Sequence, residues 1–441
     1  MKKVLILAYD FPPYISVGGL RPYCWYKYLK MYGVEPVVIT RNWTNEHGSS
    51  LDYICPSPSD ETVVEATEYG TVIKTPYKPT WSNRIFLKHG EFKYRFIRRL
   101  LTAIGEVMQF IHISGTKKNL YLEAEEYLKK NKVDAILATG DPFVLFFYAS
   151  KLGKKFNTPW IADYRDPWSH DKVFQENKAY YIWNKKLELN IVSTSHSIIT
   201  VSDFFSGKLL NYFSSKRIHV LPNGYDPDVI DEISKVPQST KKLTLSFVGS
   251  MYKWYPWKSF LTTFSEMIEQ RGVSIQLNMY GINMAEDISK FVSALPLKTR
   301  ESICIYPRVP NKELLTLLAG ENVMLLFNNY SMIGTKIFDY IGARRKIVLC
   351  YHNDAHALKL KEEFYSIEEN ENFSNQLQED LIRETHSGVI VENEEDLKKV
   401  LMELVDEFNQ KGKIDCDSTG VENYSRTIQA KKLAEIIKAL K

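Results

Sequence analysis

Short apolar runs alternate with amphipathic segments along most of the chain. Runs of four to six residues bounded by glycine, proline or polar residues are typical of strands buried on both faces of a parallel sheet. The segments between them repeat apolar residues at helical spacing. Predicted strands lie at residues 4–8, 37–40, 135–139, 159–163, 197–201, 218–222, 243–248, 275–280, 302–306, 323–327, 347–350 and 388–391. This alternation predicts an α/β protein with doubly wound parallel sheets.

Helices are predicted between most of these strands. They lie at residues 21–31, 143–156, 182–192, 203–213, 257–271, 286–294, 311–319, 394–408 and 425–440, with one starting near 335 and a helix–loop at 362–384. A chain of 441 residues is too long for one core. The turn that starts at Asn223 and the polar stretch after it mark the boundary. We therefore predict domains at residues 1–222 and 223–424, and a terminal helix at 425–441.

Residues 42–130 give the weakest pattern. Within them, the segment from Arg84 to Leu101 interleaves six arginine and lysine residues with aromatic and aliphatic ones, against a single glutamate. This pattern fits a basic amphipathic segment on an anionic membrane surface. A solvated helix face packed on its own domain explains the pattern as well.

Composition and charge narrow the classes of protein. The chain is 44% hydrophobic and 25% charged, as globular proteins are, and its net charge of +4 does not demand a nucleic-acid partner. The five cysteines form no CxxC pair, which favours a reducing compartment and argues against structural zinc. No apolar run reaches the ~18–20 residues that cross a bilayer. We expect a soluble protein that at most sits on a membrane surface.

Candidate ligand-binding chemistry lies just after the predicted strand at 323–327. Gly334 and Thr335 precede a predicted helix, whose first amides and positive dipole end favour an anion. Lys336 adds a charge suited to phosphate, and Asp339 is placed to accept hydrogen bonds from a diol such as ribose. The alternative is an ordinary amphipathic helix with a Gly-Thr cap.

Two further loops follow predicted strands in the first half. Gly18 and Gly19 allow a ligand or the facing domain to approach the backbone closely, or else form a flexible turn. Polar residues from Asp163 to His170 lie just past a strand's carboxyl end, where open α/β sheets bind ligands.

The whole chain resembles the retaining glycosyltransferases of family 4, which have the GT-B fold of two Rossmann-like domains facing a cleft. The motifs that carry the resemblance are Phe11-Pro-Pro-Tyr14 with Gly18-Gly19, Asp163-Tyr-Arg-Asp-Pro-Trp168, Ile199-Thr-Val-Ser202, Val220-Leu-Pro-Asn-Gly-Tyr-Asp226, Phe247-Val-Gly-Ser250 and Gly334-Thr-Lys-Ile-Phe-Asp-Tyr340. The resemblance implies an N-terminal acceptor domain, a C-terminal nucleotide-sugar domain and a final helix that crosses back to the first domain.

The resemblance also implies roles for single residues. Gly18 and Gly19 would face the donor diphosphate, and Gly249 and Ser250 would lie beneath the donor. Gly334, Thr335 and Lys336 would contact phosphate, while Asp339 would stand where the family's ribose-binding glutamate stands. Two positions depart from the family's pattern at the donor sugar. Ser331 occupies the position of the family's first glutamate. Ser250 occupies the position of a basic residue that contacts phosphate in the family, and Lys253 or Lys258 would make that contact here.

The reaction implied is transfer of a sugar from a nucleoside diphosphate sugar to an acceptor hydroxyl with retention. Helix amides and the lysines Lys336 and Lys258 or Lys253 would stabilise the departing diphosphate, so we expect no metal and no cofactor. Asp166 is the first candidate for a base or acceptor-orienting group and His170 the second. Arg165 and Trp168 are candidate acceptor contacts. The alternatives are a salt bridge from Asp166 to Arg165 or Arg21, a surface histidine and a buried tryptophan.

Other functions remain open. A GT-B nucleotide-sugar epimerase needs clustered acid and base groups in the cleft, and a catalytically silent GT-B scaffold needs none. An NAD-dependent oxidoreductase is disfavoured because no GxGxxG motif follows a predicted strand. The expected partners are a nucleotide sugar, a glycan or lipid-linked acceptor, and an anionic membrane at the segment from Arg84 to Leu101. We expect a cytoplasmic location, peripheral on the inner face of the membrane.

Overall fold

The computed structural model describes residues 1–14, 16–44, 51–169, 178–352, 359 and 373–440. The chain divides into two compact units. The first comprises Met1–Pro222 and Thr427–Lys441, and the second comprises Asn223–Arg426. His170 and the first part of the helix–loop predicted at 362–384 lie outside the described residues.

The first unit is built on an eight-stranded sheet. Its strands are β1 (Lys2–Leu7), β2 (Val34–Arg41), β3 (Val63–Ala66), β4 (Thr71–Thr75), β5 (Ala135–Gly140), β6 (Trp160–Tyr164), β7 (Ser197–Thr200) and β8 (Arg217–Val220). Their order is β3-β4-β2-β1-β5-β6-β7-β8, and only β3 runs antiparallel to its neighbour. Val4 pairs with Pro36 on one side and with Ala135 on the other, so β1 lies in the middle of the sheet.

Helices cover both faces of this sheet. They are α1 (Val17–Tyr28), α2 (Trp81–His89), α3 (Arg95–Ile111), α4 (Lys118–Lys130), α5 (Val144–Phe156), α6 (Lys178–Val192) and α7 (Asp203–Leu210). Ser16 caps α1 by accepting a hydrogen bond from the Gly18 amide, and Ser202 caps α7 in the same way. The central strands are buried on both faces, which explains their continuous apolar sequence.

The second unit repeats the architecture with six parallel strands. These are β9 (Leu243–Val248), β10 (Ile275–Tyr280), β11 (Ile303–Tyr306), β12 (Val323–Phe327), β13 (Lys346–Cys350) and β14 (Gly388–Val391), in the order β11-β10-β9-β12-β13-β14. Its helices are α8 (Pro227–Ile233), α9 (Trp257–Arg271), α10 (Ala285–Ser293), α11 (Leu297–Glu301), α12 (Asn311–Gly320), α13 (Lys336–Gly342), α14 (Leu377–Thr385) and α15 (Glu394–Lys411).

The last helix, α16 (Arg426–Ala439), packs on the first unit. Leu433 and Ile437 lie in one hydrophobic cluster with Val4 and Ile6 of β1. The chain therefore returns to the first sheet after completing the second.

The doubly wound α/β class predicted from the sequence is confirmed in both units. Residues 42–130 hold elements that the pattern did not predict, namely β3, β4 and the helices α2 to α4. Strand β3 is exposed along its whole length, so it carries no buried apolar run. Among the described residues, no helix combines the length and apolar character needed to cross a membrane.

Candidate functional site

Lys336 and Gly249 meet where the second sheet reverses its strand order. Strands β9 and β12 are neighbours, and the chain leaves them in opposite directions, to β10 and to β13. Gly249 directly follows β9, and Lys336 opens α13 after the loop that follows β12. Open α/β sheets bind ligands at the carboxyl ends of the strands at such a switch point. Two residues singled out in the sequence therefore share one site.

Gly249 makes room for the Lys336 side chain. Its φ is +78°, and a Cβ added there would lie 2.6 Å from Lys336 Nζ and 2.7 Å from Cε. Nζ also lies 5.6 Å from the centroid of the Phe247 ring. Burial lowers the pKa of Lys336 to about 8. Within the described part of the chain the ammonium has no carboxylate or carbonyl partner, so it is a desolvated cation available to an anion.

Asp339 lies one helical turn beyond Lys336. Burial raises the pKa of this carboxyl group to about 6; the positive charge of Arg426 opposes the shift and the carboxylate of Asp226 reinforces it. No described residue donates a hydrogen bond to the Asp339 side chain. A partly buried carboxylate without a donor is suited to ligand hydroxyls.

The other donor contacts predicted in the second unit lie near this pair in sequence, and all but Thr335 are exposed. Gly334 has open space around it, and Thr335 precedes α13 without capping it through its side chain. Helix α13 has only seven residues, so the lysine is a stronger source of positive charge than the helix dipole predicted there. Ser250, Lys253 and Lys258 are exposed in the loop after β9 and the first turn of α9.

The first sheet also reverses its strand order, between β1 and β5. Asp10 follows β1, Asp141 follows β5 and Arg165 follows β6. Arg165 donates hydrogen bonds to the carbonyl oxygens of Gly140 and Asp141, each at 2.6 Å. The arginine therefore fixes the backbone that carries Asp141.

Gly18 leaves room for this arrangement. A Cβ at Gly18 would clash with Nη1 of Arg165 and would lie 2.9 Å from Oδ2 of Asp10. Ser16 donates a hydrogen bond to the same Asp10 oxygen at 2.7 Å. The structure thus gives Gly18 a close contact with a charged cluster within its own unit.

Lys117 completes this cluster. Its Nζ lies 5.2 Å from the centroid of the Tyr9 ring, and burial lowers its pKa while Glu106, Asp141 and Asp10 oppose the shift. Burial raises the pKa of Asp10 and of Asp141, and the charges of Arg165 and Lys117 counteract it in both. Oδ1 of Asp10 is buried, and no described residue donates a hydrogen bond to it. Two partly desolvated carboxylates and a lysine thus interact in one cluster, which is suited to a polar ligand.

The loop after β6 contains both structural and exposed groups. Asp163 is fully buried and pairs with Arg21, whose Nε lies 3.0 Å from Oδ1. Arg21 is therefore engaged by Asp163, and Arg165 by the backbone after β5. Asp166 itself is exposed.

Trp168 is a core residue, which corrects its assignment as an acceptor contact. Only 2% of it is exposed, and its ring stacks on Phe143 with centroids 5.0 Å apart and on Phe110 at 5.6 Å. Its indole N–H donates to Asn184 at 3.3 Å. The predicted alternative of a buried tryptophan holds.

Two Asp-x-Asp triplets, a pattern that can hold a cation, occur in the sequence. In the first, Asp226 caps α8 by accepting a hydrogen bond from the Asp228 amide. In the second, Asp415 pairs with Lys411 at 2.8 Å and with Lys413 at 2.7 Å. One aspartate of each triplet thus has a partner within the chain, and the described residues contain no group of three or more His, Cys, Asp or Glu side chains that could hold a metal ion.

The sequence reading missed Asp10, Asp141 and Lys117 in the first unit and Arg426 in the second. Asp10 and Asp141 each follow a buried strand, so the rule applied to the loop after β6 would have found them. Lys117 and Arg426 lie far along the chain from their partners, and no local pattern marks them.

Sequence and structure comparisons agree on the class of fold. Residues 25–229 match the sequence profile of Glycosyltransferase Family 4. A search of curated proteins found no match. The resemblance to family 4 drawn from the motifs is thus confirmed over this part of the chain.

Solved structures match the whole chain. Sucrose-phosphate synthase from Thermosynechococcus elongatus aligns with a TM-score of 0.52 and 13% identity over 100% of this chain and 95% of its own. Anabaena Alr3699/HepE, solved with UDP-glucose, aligns with a TM-score of 0.52 and 10% identity over 100% of both chains. The catalytic domain of Starch Synthase IV from Arabidopsis thaliana, bound to ADP and acarbose, aligns with a TM-score of 0.52 and 11% identity over 100% of this chain and 95% of its own. At these identities the matches establish the GT-B fold.

Proposed function

We propose that this chain, which carries a Glycosyltransferase Family 4 match in residues 25–229, moves a sugar from a nucleoside diphosphate sugar to an acceptor hydroxyl with retention of configuration. The observation that carries the proposal is the Lys336 ammonium, held beside Gly249 at the switch point of the second sheet without a counter-ion among the described residues. A desolvated cation at this position matches the charge of a diphosphate.

The donor would be held through its diphosphate and its ribose. Lys336 would bind diphosphate oxygens, and the absence of a side chain at Gly249 would let the ligand approach the backbone. Asp339 would accept hydrogen bonds from the ribose hydroxyls, which favour its ionised form. Gly334, Thr335, Ser250 and the exposed Lys253 and Lys258 would supply further contacts to phosphate or sugar.

Stabilisation of the leaving group is the chemical task of this site. Negative charge grows on the diphosphate as the glycosidic bond breaks, and a positive group already in place lowers that barrier most where water is excluded. With a pKa of about 8, Lys336 is mostly protonated at neutral pH. We propose that this ammonium serves the leaving group without a metal ion or a cofactor, and that the acceptor attacks from the same face.

The acceptor would be oriented by the first unit. Asp166, exposed after β6, stays our candidate for the group that accepts or orients the acceptor proton, with His170 second. Asp10 and Asp141 join it as candidates, because each raised pKa marks a partly desolvated carboxylate that gains from a hydroxyl donor. Arg165 would act through the backbone it holds.

The acceptor class that we propose is a lipid-linked glycan or an intermediate of a cell-surface polysaccharide. The place of action would be the cytoplasmic face of the inner membrane. We propose no role for nucleic acid.

A catalytically silent scaffold is the second candidate, favoured by Ser331 and Ser250 at the positions where the family has charged residues. A donor screen separates the two. The purified chain is incubated with UDP-, GDP- and ADP-sugars, and thermal stability and released nucleotide are measured beside a Lys336→Met variant. The transferase predicts a thermal shift with one nucleotide class, slow nucleotide release and loss of both in the variant. A shift without release under any acceptor mixture would favour the scaffold, and epimer formation without acceptor would favour an epimerase.

A further inference from the structure

The α2–α3 hairpin carries an unusual concentration of exposed apolar side chains. Of the 24 large hydrophobic residues exposed in the described chain, eleven lie between Trp81 and Ile111. They are Trp81, Leu87, Phe92, Tyr94, Phe96, Ile97, Leu100, Ile104, Val107, Met108 and Ile111. A continuous apolar patch on a protein surface marks an interaction site.

Apart from Phe110, which stacks on Trp168, most apolar side chains of α3 are exposed. Gln109 is the only buried residue among the 17 of this helix, and Phe92 and Phe96 are each 83% exposed. A cavity of about 690 Å³ lies against the hairpin, lined by Trp81, Leu101 and Ile104 among others. The sequence left open a solvated helix face packed on its own domain, and the exposed apolar side chains argue against that alternative.

Basic side chains accompany the apolar patch. Lys88, Lys93, Arg95 and Arg99 have no carboxylate partner among the described residues. Arg98 instead serves the hairpin itself, donating to the Glu91 carbonyl at 2.7 Å. Four cations without a carboxylate partner lie beside exposed aromatic and aliphatic groups. This combination fits a lipid bilayer, which has anionic headgroups at its surface and an apolar interior beneath them.

We propose that the hairpin from Trp81 to Ile111 docks the protein on an anionic lipid bilayer. Phe92, Phe96 and Leu100 enter the boundary between headgroups and acyl chains, and the unpaired cations lie at the level of the lipid phosphates. This surface shares no residue with the proposed donor site, and docking through it does not depend on catalytic activity.

The positive charge of the hairpin argues against a second copy of the chain as its binding partner. A two-fold symmetric contact places the same patch of both subunits together, so the unpaired cations would face their own copies. Like charges brought together at an interface are unfavourable. An anionic bilayer satisfies both the charge and the apolar area.

Co-sedimentation with vesicles tests the proposal. The full chain is mixed with vesicles of phosphatidylcholine alone, or of phosphatidylcholine and phosphatidylglycerol at about two to one, at low and at high salt. We expect strong binding to the anionic vesicles, weaker binding at high salt, and weak residual binding to the neutral ones. Quenching of tryptophan emission by lipids brominated in their acyl chains should decrease in a Trp81→Phe variant.

Two sets of variants separate the apolar from the electrostatic contribution. Phe92→Ser, Phe96→Ser and Leu100→Ser together should abolish binding to both kinds of vesicle. The matched control replaces three exposed residues outside the hairpin, Ile182→Ser, Leu297→Ser and Leu317→Ser, and should bind as the wild type does. All six positions are exposed, so folding, checked by circular dichroism, should persist.

Charge removal should act only on anionic vesicles. Changing Lys88, Lys93, Arg95 and Arg99 to glutamine should weaken that binding about fivefold per residue. The control changes four exposed lysines elsewhere, Lys154, Lys186, Lys298 and Lys399.

Binding of the serine variant at the wild-type level would overturn the proposal, as would an equal loss in its control. A lipid-free dimer that the hairpin serines dissociate would assign the patch to a second copy instead. Neither result would bear on the donor site, whose nucleotide release is measured without vesicles.

Discussion

Replacing Gly249 by alanine tests the contact at the centre of the proposed donor site. The new Cβ would lie 2.6 Å from Lys336 Nζ and 2.7 Å from Cε, well inside van der Waals contact. Lysine is long and flexible, so its end can move away without disturbing the core. The substitution therefore displaces the ammonium while the rest of the unit stays folded.

The expected magnitudes separate binding from folding. Alanine in the left-handed region, where Gly249 has a φ of +78°, costs about 1–2 kcal/mol of folding stability. A hydrogen bond to a charged group contributes about 1.5–3 kcal/mol, so moving Lys336 off a diphosphate should weaken nucleotide binding about 10- to 100-fold. The loss of nucleotide affinity should thus be larger than the backbone strain at residue 249 alone would cause.

Gly272→Ala supplies a matched control. Gly272 also has a positive φ, +67°, at the end of α9 in the same unit, and among the described residues no atom beyond its own chain neighbours and helix backbone lies within 4 Å of a Cβ placed there. Isothermal titration with the nucleotide found in the donor screen should show the large loss only for Gly249→Ala, while urea unfolding shows similar destabilisation for both. Equal nucleotide affinity in the two variants would refute the contact between Lys336 and the diphosphate.

Three further predictions follow from charged groups. Because the pKa of Lys336 is lowered to about 8, nucleotide affinity should decline from pH 7 to 9, and Lys336→Arg should remove that decline; a flat wild-type profile would contradict the role of the ammonium. The pKa of Asp339 is raised to about 6 from 3.8, so the folded state binds more protons between these values and loses up to about 3 kcal/mol as pH rises through them. Asp339→Asn should therefore match the wild type in unfolding free energy near pH 4 and exceed it above pH 6, yet bind nucleotide more weakly; equal pH slopes in urea titrations would speak against this. Asp163→Ala should cost about 3–5 kcal/mol, because it leaves the buried Arg21 charge without its carboxylate; a loss below about 1 kcal/mol in the same assay would show that water replaces the partner.

The sequence predicted the fold correctly where strands are buried on both faces. Strands β9 and β10 and helix α9 have the predicted bounds, because the apolar runs and the Gly272 cap both report local structure. The pattern failed at residues 42–130. There β3 is exposed, and the apolar stripe of α3 faces outward, so burial cannot be read from periodicity.

The candidate site was legible only in part. Lys336 and Gly249 were each marked by their place after a strand, and the sheet order brings them together. Arg426, whose charge acts on Asp339, lies 87 positions further on, and only the folded chain sets them side by side. Trp168 shows the opposite case, since its sequence position suggested a ligand and its packing excludes one.

A crystal structure of the chain with the nucleoside diphosphate that passes the donor screen tests the central claim most directly. We predict a diphosphate oxygen within hydrogen-bonding distance of Lys336 Nζ and the ribose hydroxyls on the carboxylate of Asp339. A nucleotide bound elsewhere, with Lys336 still lying unpaired against Gly249, would contradict the account.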